Sequence, residues 1–371
     1  MKYFVLAGEA SGDKQAALLC EAIIRHDPSA QIIGWGGEAM QSAGVQVTKH
    51  YRELAFMGFT EVVRHLPKIL RNIALCKKEI LTFSPDALIL VDYPGFNLRI
   101  ARWAHRYGLN TYYYISPQLW AWHTSRVYGI RQAVRKMYVI LPFEQEFYRT
   151  YGMDVMYIGH PLAVEISKQN DFQYRPEKGR IALLPGSRKH EVDRILPVMV
   201  ELIRKMPGTK FTVAAVPHLP SALYAKWLEG LSGVDVIVGD MKAALAGAEA
   251  AVVTSGTATL ETALLGIPEV VVYKGSPLSF QIAKRLIKVK YISLVNLIMD
   301  KPLVPELIQA DCNADKIKEQ LLHILTPEVS AGISSDYKHL RNLLISGSGA
   351  EAAAIDIFSD ISSPNQEHGQ V

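Results

Sequence analysis

Residues 86–97 read DALILVDYPGFN, and the five apolar residues Ala87–Val91 decide the fold. They do not alternate with polar ones, so both faces of the strand they form must be covered. That is the mark of a parallel sheet with helices on either side. Working outward, the same pattern recurs. Apolar runs at Tyr3–Ala7, Ile32–Trp35, Thr111–Ile115, Lys136–Ile140 and Val155–Ile158 alternate with helical patterns such as Lys14–His26 and Asn97–Arg106. Alternating strands and helices predict a doubly wound α/β sheet. The pattern pauses over Ser167–Lys178, SKQNDFQYRPEK, which is polar and holds a proline. It restarts with strands at Arg180–Leu184, Lys210–Ala215, Val234–Val238, Ala250–Thr254 and Glu269–Tyr273, and helices at Glu191–Met206 and Ser221–Leu231.

The sequence thus predicts two Rossmann-like doubly wound parallel-sheet domains. The first covers residues 1–168 and the second 179–325, joined by a linker over 169–178; a helical segment and polar tail fill 326–371. Ligands of such sheets sit beyond the carboxyl ends of the strands, and a central cleft between the two domains is the expected site.

Composition bounds the function. A chain of 371 residues suits two domains of roughly 100–200 residues each. Hydrophobic residues at 49% and charged residues at 20% exclude a disordered chain, a collagen and a coiled coil. A net charge of +4 is too small to argue for nucleic acid. Cys20, Cys76 and Cys312 form neither a disulfide framework nor a zinc pattern and read as reduced, buried thiols of a cytoplasmic protein. No apolar run reaches the roughly 18 residues needed to span a bilayer. The first apolar run turns at Gly8-Glu9, too early for a signal-peptide core.

Four loops after strands carry the chemistry. In Gly8–Asp13, GEASGD, glycines permit close backbone approach, and the helix that follows favours an anion or a hydroxyl-rich ligand at Ser11, Gly12 and Asp13. The plain alternative is a tight turn with Ser11 or Asp13 as N-cap. Asp92 sits where the apolar strand runs out, half-desolvated and placed as a general base; otherwise it caps the turn before Pro94. Gly186, Ser187 and Arg188 open the second domain, with the Arg188 guanidinium suited to phosphate oxygens. Ser255, Gly256, Thr257, Ala258 and Thr259 form a diphosphate cradle at a helix N-terminus, and Glu261 lies one turn in, where it can accept ribose hydroxyls. No Asp-x-Asp occurs, so a metal-bridged diphosphate is not supported and no metal or cofactor is called for. His160 reads as a structural turn histidine.

Leu54–Ile80 is basic and amphipathic. Val62, Leu66, Ile69, Ile73 and Cys76 recur at helical spacing, with Val63 and Leu70 beside them and Arg64, His65, Lys68, Arg71, Lys77 and Lys78 around them. This suits a helix lying on a membrane with a cationic rim, or a helix packed on the core with solvated lysines.

Taken together, AGEASGD (7–13), LAFMGFTEV (54–62), VDYPGFN (91–97), SPQLWAW (116–122), LPFEQEFY (141–148), IGHP (158–161), LLPGSR (183–188), SGTATLE (255–261) and AKRLIKVKYISLVNLI (283–298) closely resemble the lipid-A-disaccharide synthase family of Gram-negative bacteria. The likeness runs from Tyr3 to about Leu344. It implies the GT-B fold. It also implies a metal-independent, inverting transfer from UDP-2,3-diacylglucosamine to 2,3-diacylglucosamine 1-phosphate, giving a β(1→6) disaccharide 1-phosphate and UDP. It further implies a protein peripheral on the cytoplasmic face of the inner membrane, with the phospholipid surface as a partner.

By resemblance Asp92 is the base, Glu9 binds acceptor or shares that role, and Arg188 with Ser255–Thr259 stabilises departing UDP. Glu261 would hold ribose, Asn296 would face the cleft, and Gly239, Asp240 and Met241 would read the uracil edge. The lipid substrates favour the membrane reading for Val62, Val63, Leu66, Ile69, Leu70 and Ile73. The chain departs from the family at Tyr93–Gly95, where many members carry Ala-Pro or Ser-Pro followed by Asp, and this puts the weight on Asp92 alone. A UDP-N-acetylglucosamine 2-epimerase-like enzyme shares the architecture but gives no reason for an amphipathic lipid-facing helix. A non-catalytic lipid carrier would not explain two phosphate loops. The oligomeric state, a homodimer included, stays open.

Overall fold

In the computed structural model, which describes residues 1–54, 66–121, 124–168, 174–276, 289–347 and 349–363, the run Ala87–Val91 is a strand buried at every position. Two units divide the chain. One is Met1–Pro161 with the residues from Ser346 onward, and the other is Leu162–Ile345.

Among the described residues the first unit holds β1 (Lys2–Ala7), β2 (Gln31–Gly36), β3 (Gln46–His50), β4 (Ala87–Val91), β5 (Thr111–Tyr114), β6 (Lys136–Val139) and β7 (Met156–Tyr157). All are parallel, in the order β3-β2-β1-β4-β5-β6-β7. The order reverses between β1 and β4, which is where open parallel sheets make their crevice. The register Ala7↔Val91 and Val91↔Tyr114 brings the ends of β1, β4 and β5 level, so Gly8, Asp92 and Ile115 begin their loops side by side. β2 lies so close to β1 that a Cβ on Gly34 would fall 1.9 Å from the Val5 carbonyl oxygen, and only glycine fits there.

The second unit repeats the plan with β8 (Arg180–Leu184), β9 (Lys210–Ala215), β10 (Val234–Val238), β11 (Ala250–Thr254), β12 (Glu269–Tyr273) and β13 (Glu306–Ile308). The order is β10-β9-β8-β11-β12-β13, again parallel, and it reverses between β8 and β11. Each unit has its own apolar core. The three cysteines are free and buried. Among the described residues no helix is long and apolar enough to cross a membrane.

The division of the chain differs from the expected ranges. Contacts part at Pro161/Leu162, because Ala163 and Ile166 of helix Pro161–Lys168 join the second unit's core. Of the expected linker, 169–173 lie outside the described residues. Residues 174–178 are held to the second unit: Tyr174 donates its hydroxyl to the Glu249 carbonyl at 3.1 Å, and Glu177 N donates to Gly247 O at 2.9 Å.

The chain's last described helix, Gly349–Ser362, returns to the first unit, while Pro327–Ile345 belongs to the second. Ala353, Ala354 and Ile357 bury against helix Ala10–His26. Acids on the returning helix meet bases and phenols on the unit. Glu351 pairs with Arg25 and His26, Asp356 with Lys136 at 2.8 Å and Tyr138 at 2.9 Å, and Asp360 with Arg135 and Tyr112.

Helix Leu66–Phe83 corrects part of the expected membrane face. Ile73 is 8% exposed and sits in the core with Cys76 and Ile80, and Ile69 packs against them. Leu70 on the other side is 57% exposed, with Leu75 and Leu81 also outward. The helical stripe 69-73-76-80 was a core stripe, the commoner fate of such spacing. Val62 and Val63 lie outside the described residues, as does the side chain of Leu66.

Candidate active site

At the first unit's switch point the strands β1 and β4 end in Gly8–Glu9 and Asp92–Tyr93. Glu9 is exposed and takes the N-cap position of helix Ala10–His26 without a side-chain capping bond. Asp92 is half-buried, and its carboxyl is pushed up to about 6, first by burial and then by the negative charge of Glu9, against the pull of the Tyr93 N–H. Burial and a neighbouring negative charge both disfavour the ionised form, so the Asp92 carboxyl holds its proton more tightly than a free one. The Tyr93 ring closes the turn over Gly8, where a Cβ would fall 2.2 Å from the ring. Its hydroxyl donates to Leu54 O at 3.2 Å.

The GEASGD loop splits into two uses. Ser11 is exposed beside Glu9. Gly12 is buried where helix Ala10–His26 meets the sheet, near Ala7 and Val91. Asp13 is a correction: it is neither in an acceptor loop nor an N-cap of its own helix. Only 3% exposed, it accepts from Gly37 N at 2.6 Å, Ala39 N at 3.0 Å and Met40 N at 3.3 Å, which ties the start of helix Glu38–Ser42 to the loop and uses the carboxylate up. His160 is buried, and burial holds its imidazole neutral with a pKa down to about 4.

In the same unit, on helix Pro142–Arg149 after β6, lies Glu144, which is fully buried. It accepts from Ser116 Oγ at 2.6 Å and from Leu141 N at 2.9 Å, fastening the SPQLW loop to the turn after β6. Burial pushes its carboxyl up to about 7 against those hydrogen bonds.

In the second unit the loops after β8 and β11 enclose a cavity of about 360 Å³. Gly186, Ser187, Arg188, Gly239, Met241, Ser255, Gly256, Thr257 and Ala258 all line it, together with Ala214–Pro217 at the end of β9 and with Glu191. Helices Lys189–Lys205 and Thr257–Leu264 both begin at this cavity, the second with no side-chain cap. Two helix N-termini and a guanidinium at one cavity suit a diphosphate. Gly186, at φ +115°, adopts backbone that favours glycine, and a Cβ there would collide with Glu191 at 2.6 Å.

Glu191 was not anticipated. Its carboxylate accepts from Ser187 N at 2.9 Å and Arg188 N at 3.1 Å, and pairs with Arg188 Nη1 at 3.1 Å. A carboxylate three residues past a helix N-cap is a readable signal for this bond.

Four expected donor residues do not line the cavity. Asp240 caps helix Met241–Leu245, accepting from Ala243 N at 2.9 Å. Thr259 is fully buried and donates to Gly256 O at 2.8 Å. Glu261 is half-buried, its carboxyl raised chiefly by burial and further by Glu165, against the pull of Lys242.

Asn296 is 1% exposed and fully engaged elsewhere. Its Nδ2 donates to Val304 O and Glu306 Oε1, each at 2.9 Å, and its Oδ1 accepts from Val304 N at 2.9 Å. It clamps the loop before β13. Ahead of the helix that carries Asn296, Leu294–Met299, the Ile292 carbonyl accepts from Ser255 Oγ at 2.8 Å, and Ser255 lines the cavity.

Comparison with known proteins follows the same lines. A family described as lipid-A-disaccharide synthetase matches residues 3–354. The chain is 41% identical over 365 residues to the lipid-A-disaccharide synthase of Syntrophus aciditrophicus (strain SB), covering 95% of each. It is 38% identical over 363 residues to that of Trichlorobacter lovleyi, covering 94% of each.

Among solved structures, UDP-GlcNAc 2-epimerase from Neisseria meningitidis bound to UDP-GlcNAc superposes with TM-score 0.65 at 12% identity, over 97% of this chain and 100% of that one. A calicheamicin glycosyltransferase superposes with TM-score 0.62 at 15% identity, over 97% and 98%. At such identities these two likenesses speak to the fold alone.

Proposed function

The chain belongs to the lipid-A-disaccharide synthetase family, and from that membership we propose how its two sites divide the work. It is a GT-B glycosyltransferase of lipid A biosynthesis. It joins UDP-2,3-diacylglucosamine to 2,3-diacylglucosamine 1-phosphate to give the β(1→6) disaccharide 1-phosphate and UDP. The epimerase reading loses to the family match, since the epimerase is similar at only 12% identity.

In our reading Asp92 takes the proton from the acceptor 6-hydroxyl as that oxygen attacks C1 of the donor. The bond from C1 to the diphosphate breaks on the opposite face, and UDP leaves with the electron pair, so the anomeric centre inverts. The observation that supports this assignment is the Asp92 carboxyl, raised to about 6 beside Glu9: basic enough to accept a proton, yet ionised at neutral pH. UDP occupies the cavity of the second unit. There the N–H groups at the two helix starts and the Arg188 guanidinium take the charge that develops on the leaving diphosphate. Glu191 holds Ser187 N and Arg188 N until phosphate replaces it. The primary test is UDP release from UDP-2,3-diacylglucosamine, measured with and without lipid acceptor. Release only with acceptor supports the reading; conversion of the donor alone refutes it.

Arg188→Ala and Glu261→Ala separate the roles within the donor site. Arg188 is 70% exposed beside the cavity, so its loss disturbs folding little. It acts on charge that grows in the transition state, and kcat falls by about 10–10²-fold. Glu261 would act on ribose equally before and during reaction, so its loss raises mainly KM. Equal effects on KM alone in both variants refute this assignment.

We place the protein peripherally on the inner face of the inner membrane, held by the outward residues of helix Leu66–Phe83 and the segment before it. Leu70→Ser then leaves stability within about 0.5 kcal/mol and lowers sedimentation with anionic vesicles. Ile73→Ser instead costs about 2–4 kcal/mol, because it puts a hydroxyl and a void into the core. Unchanged vesicle binding in Leu70→Ser refutes the assignment of that face.

A further inference from the structure

Two adjacent residues after β4, neither of them glycine, are left-handed: Asp92 at φ 45° and Tyr93 at φ 46°. Such backbone persists only where its surroundings over-determine it, and it concentrates at working sites. Pro94 bars Tyr93 from right-handed helical backbone but favours an extended one, so proline alone does not set the turn.

Two buried side chains do. Tyr113 Oη donates to the main-chain carbonyl of Asp92 at 2.6 Å. Asn97 Nδ2 donates to the same carbonyl at 2.8 Å and to that of Val91 at 3.1 Å. The Asp92 N–H in turn donates to Tyr114 O at 3.0 Å, so both main-chain polar groups of residue 92 are gripped. Tyr113 is fully buried, and burial pushes its phenol far up, so it stays a donor throughout the working range.

Asn97 is fully buried too, yet its Oδ1 has no partner among the described residues. An orphaned buried acceptor destabilises the fold. An apolar residue of the same size would avoid that cost, so Asn97 makes sense here through what its two N–H bonds hold.

We propose that Tyr113 and Asn97 are positioning residues for the proton transfer, clamping the Asp92 carbonyl so that the Asp92 carboxyl is presented at the strand end in one orientation. The inference rests on Asp92 being the base. Neither side chain touches the reacting atoms; both act through the turn. Misplacing a reacting group by about an ångström costs about 10²-fold in rate.

The test uses the full chain with Tyr113→Phe and Asn97→Leu, and Asp92→Asn alongside. Tyr113→Phe removes one hydrogen bond and no more volume than the hydroxyl itself. Asn97→Leu removes two donors and the orphaned acceptor together. Each lowers kcat by about 10–10²-fold and leaves the donor KM within about twofold. The acid limb of the kcat profile moves down from about 6, because the released turn lets water reach the carboxyl.

Wild-type kcat and an unmoved acid limb in both variants overturn the clamp, as does unfolding of both. If one alone unfolds, the other decides. Loss of activity in Asp92→Asn with full activity in both clamp variants removes only the clamp. Full activity in Asp92→Asn removes the base assignment, and the clamp with it.

Discussion

Asp92→Asn lowers kcat by about 10²–10⁴-fold while UDP binding, read by calorimetry, stays as in wild type. The amide keeps the shape of the side chain and the grip on its carbonyl, and removes only the ability to accept a proton. The pH dependence follows from the same group. Asp92 must be ionised to act, its folded value is about 6, and so wild-type kcat falls as pH drops through 6.

Stability runs the other way. A carboxyl whose folded pKa is raised binds its proton more tightly in the native state. It therefore costs stability as pH rises from the unfolded carboxylate value to about 6, and the full cost stands above that. A rise of about two units corresponds to roughly 3 kcal/mol at most. The thermal midpoint of Asp92→Asn at neutral pH is accordingly equal to or above that of wild type. A variant that is both slow and less stable would mean that Asp92 supports the turn rather than the chemistry. A variant with full kcat would hand the base role to Glu9.

Asn296→Ala produces the second large effect, and it is on folding. The substitution strips partners from Val304 N and O and from Glu306, all at the base of one loop. Unpaired buried groups of this kind cost about 2–4 kcal/mol together, one of them being charged. Urea denaturation of the full chain measures it. Glu306 retains Ile292 N and Ser293, so the loop loosens rather than detaches. Any rise in donor KM then runs through Ile292 and its hold on Ser255. Unchanged stability with a raised KM would instead return Asn296 to direct donor binding.

These two residues also show what a sequence discloses and what it withholds. Nearly all the strands are legible, because runs such as Ala87–Val91 and Ala250–Thr254 are apolar throughout and only a doubly covered sheet tolerates that. β3, QVTKH, escaped because it lies at an edge, half-exposed and polar, and β13 because three residues carry no periodicity. Loops at the carboxyl ends of parallel strands are where ligands bind, and this made Asp92 and Gly186–Arg188 readable as candidates.

Asp13 and Asn296 look no different in one dimension. A carboxylate in a glycine-rich loop and an amide at a helix start both read as ligand contacts. Only the distances show that backbone N–H groups from 24 or more residues away occupy Asp13. The Ile69–Ile73 stripe misled for a related reason: helical spacing reports that a face is apolar, but not what covers it.

The return of helix Gly349–Ser362 to the first unit has a consequence for how this chain is made. Arg25 and its partner Glu351 are 326 residues apart. On a ribosome adding about 5–20 residues per second, the apolar face of helix Ala10–His26 emerges long before its cover is synthesised. The second unit, encoded between them, can finish folding while the first still waits. Nascent chains halted before residue 349 would therefore leave uncovered the face of helix Ala10–His26 that meets helix Gly349–Ser362, and would depend on chaperones that shield apolar surface until that last helix arrives.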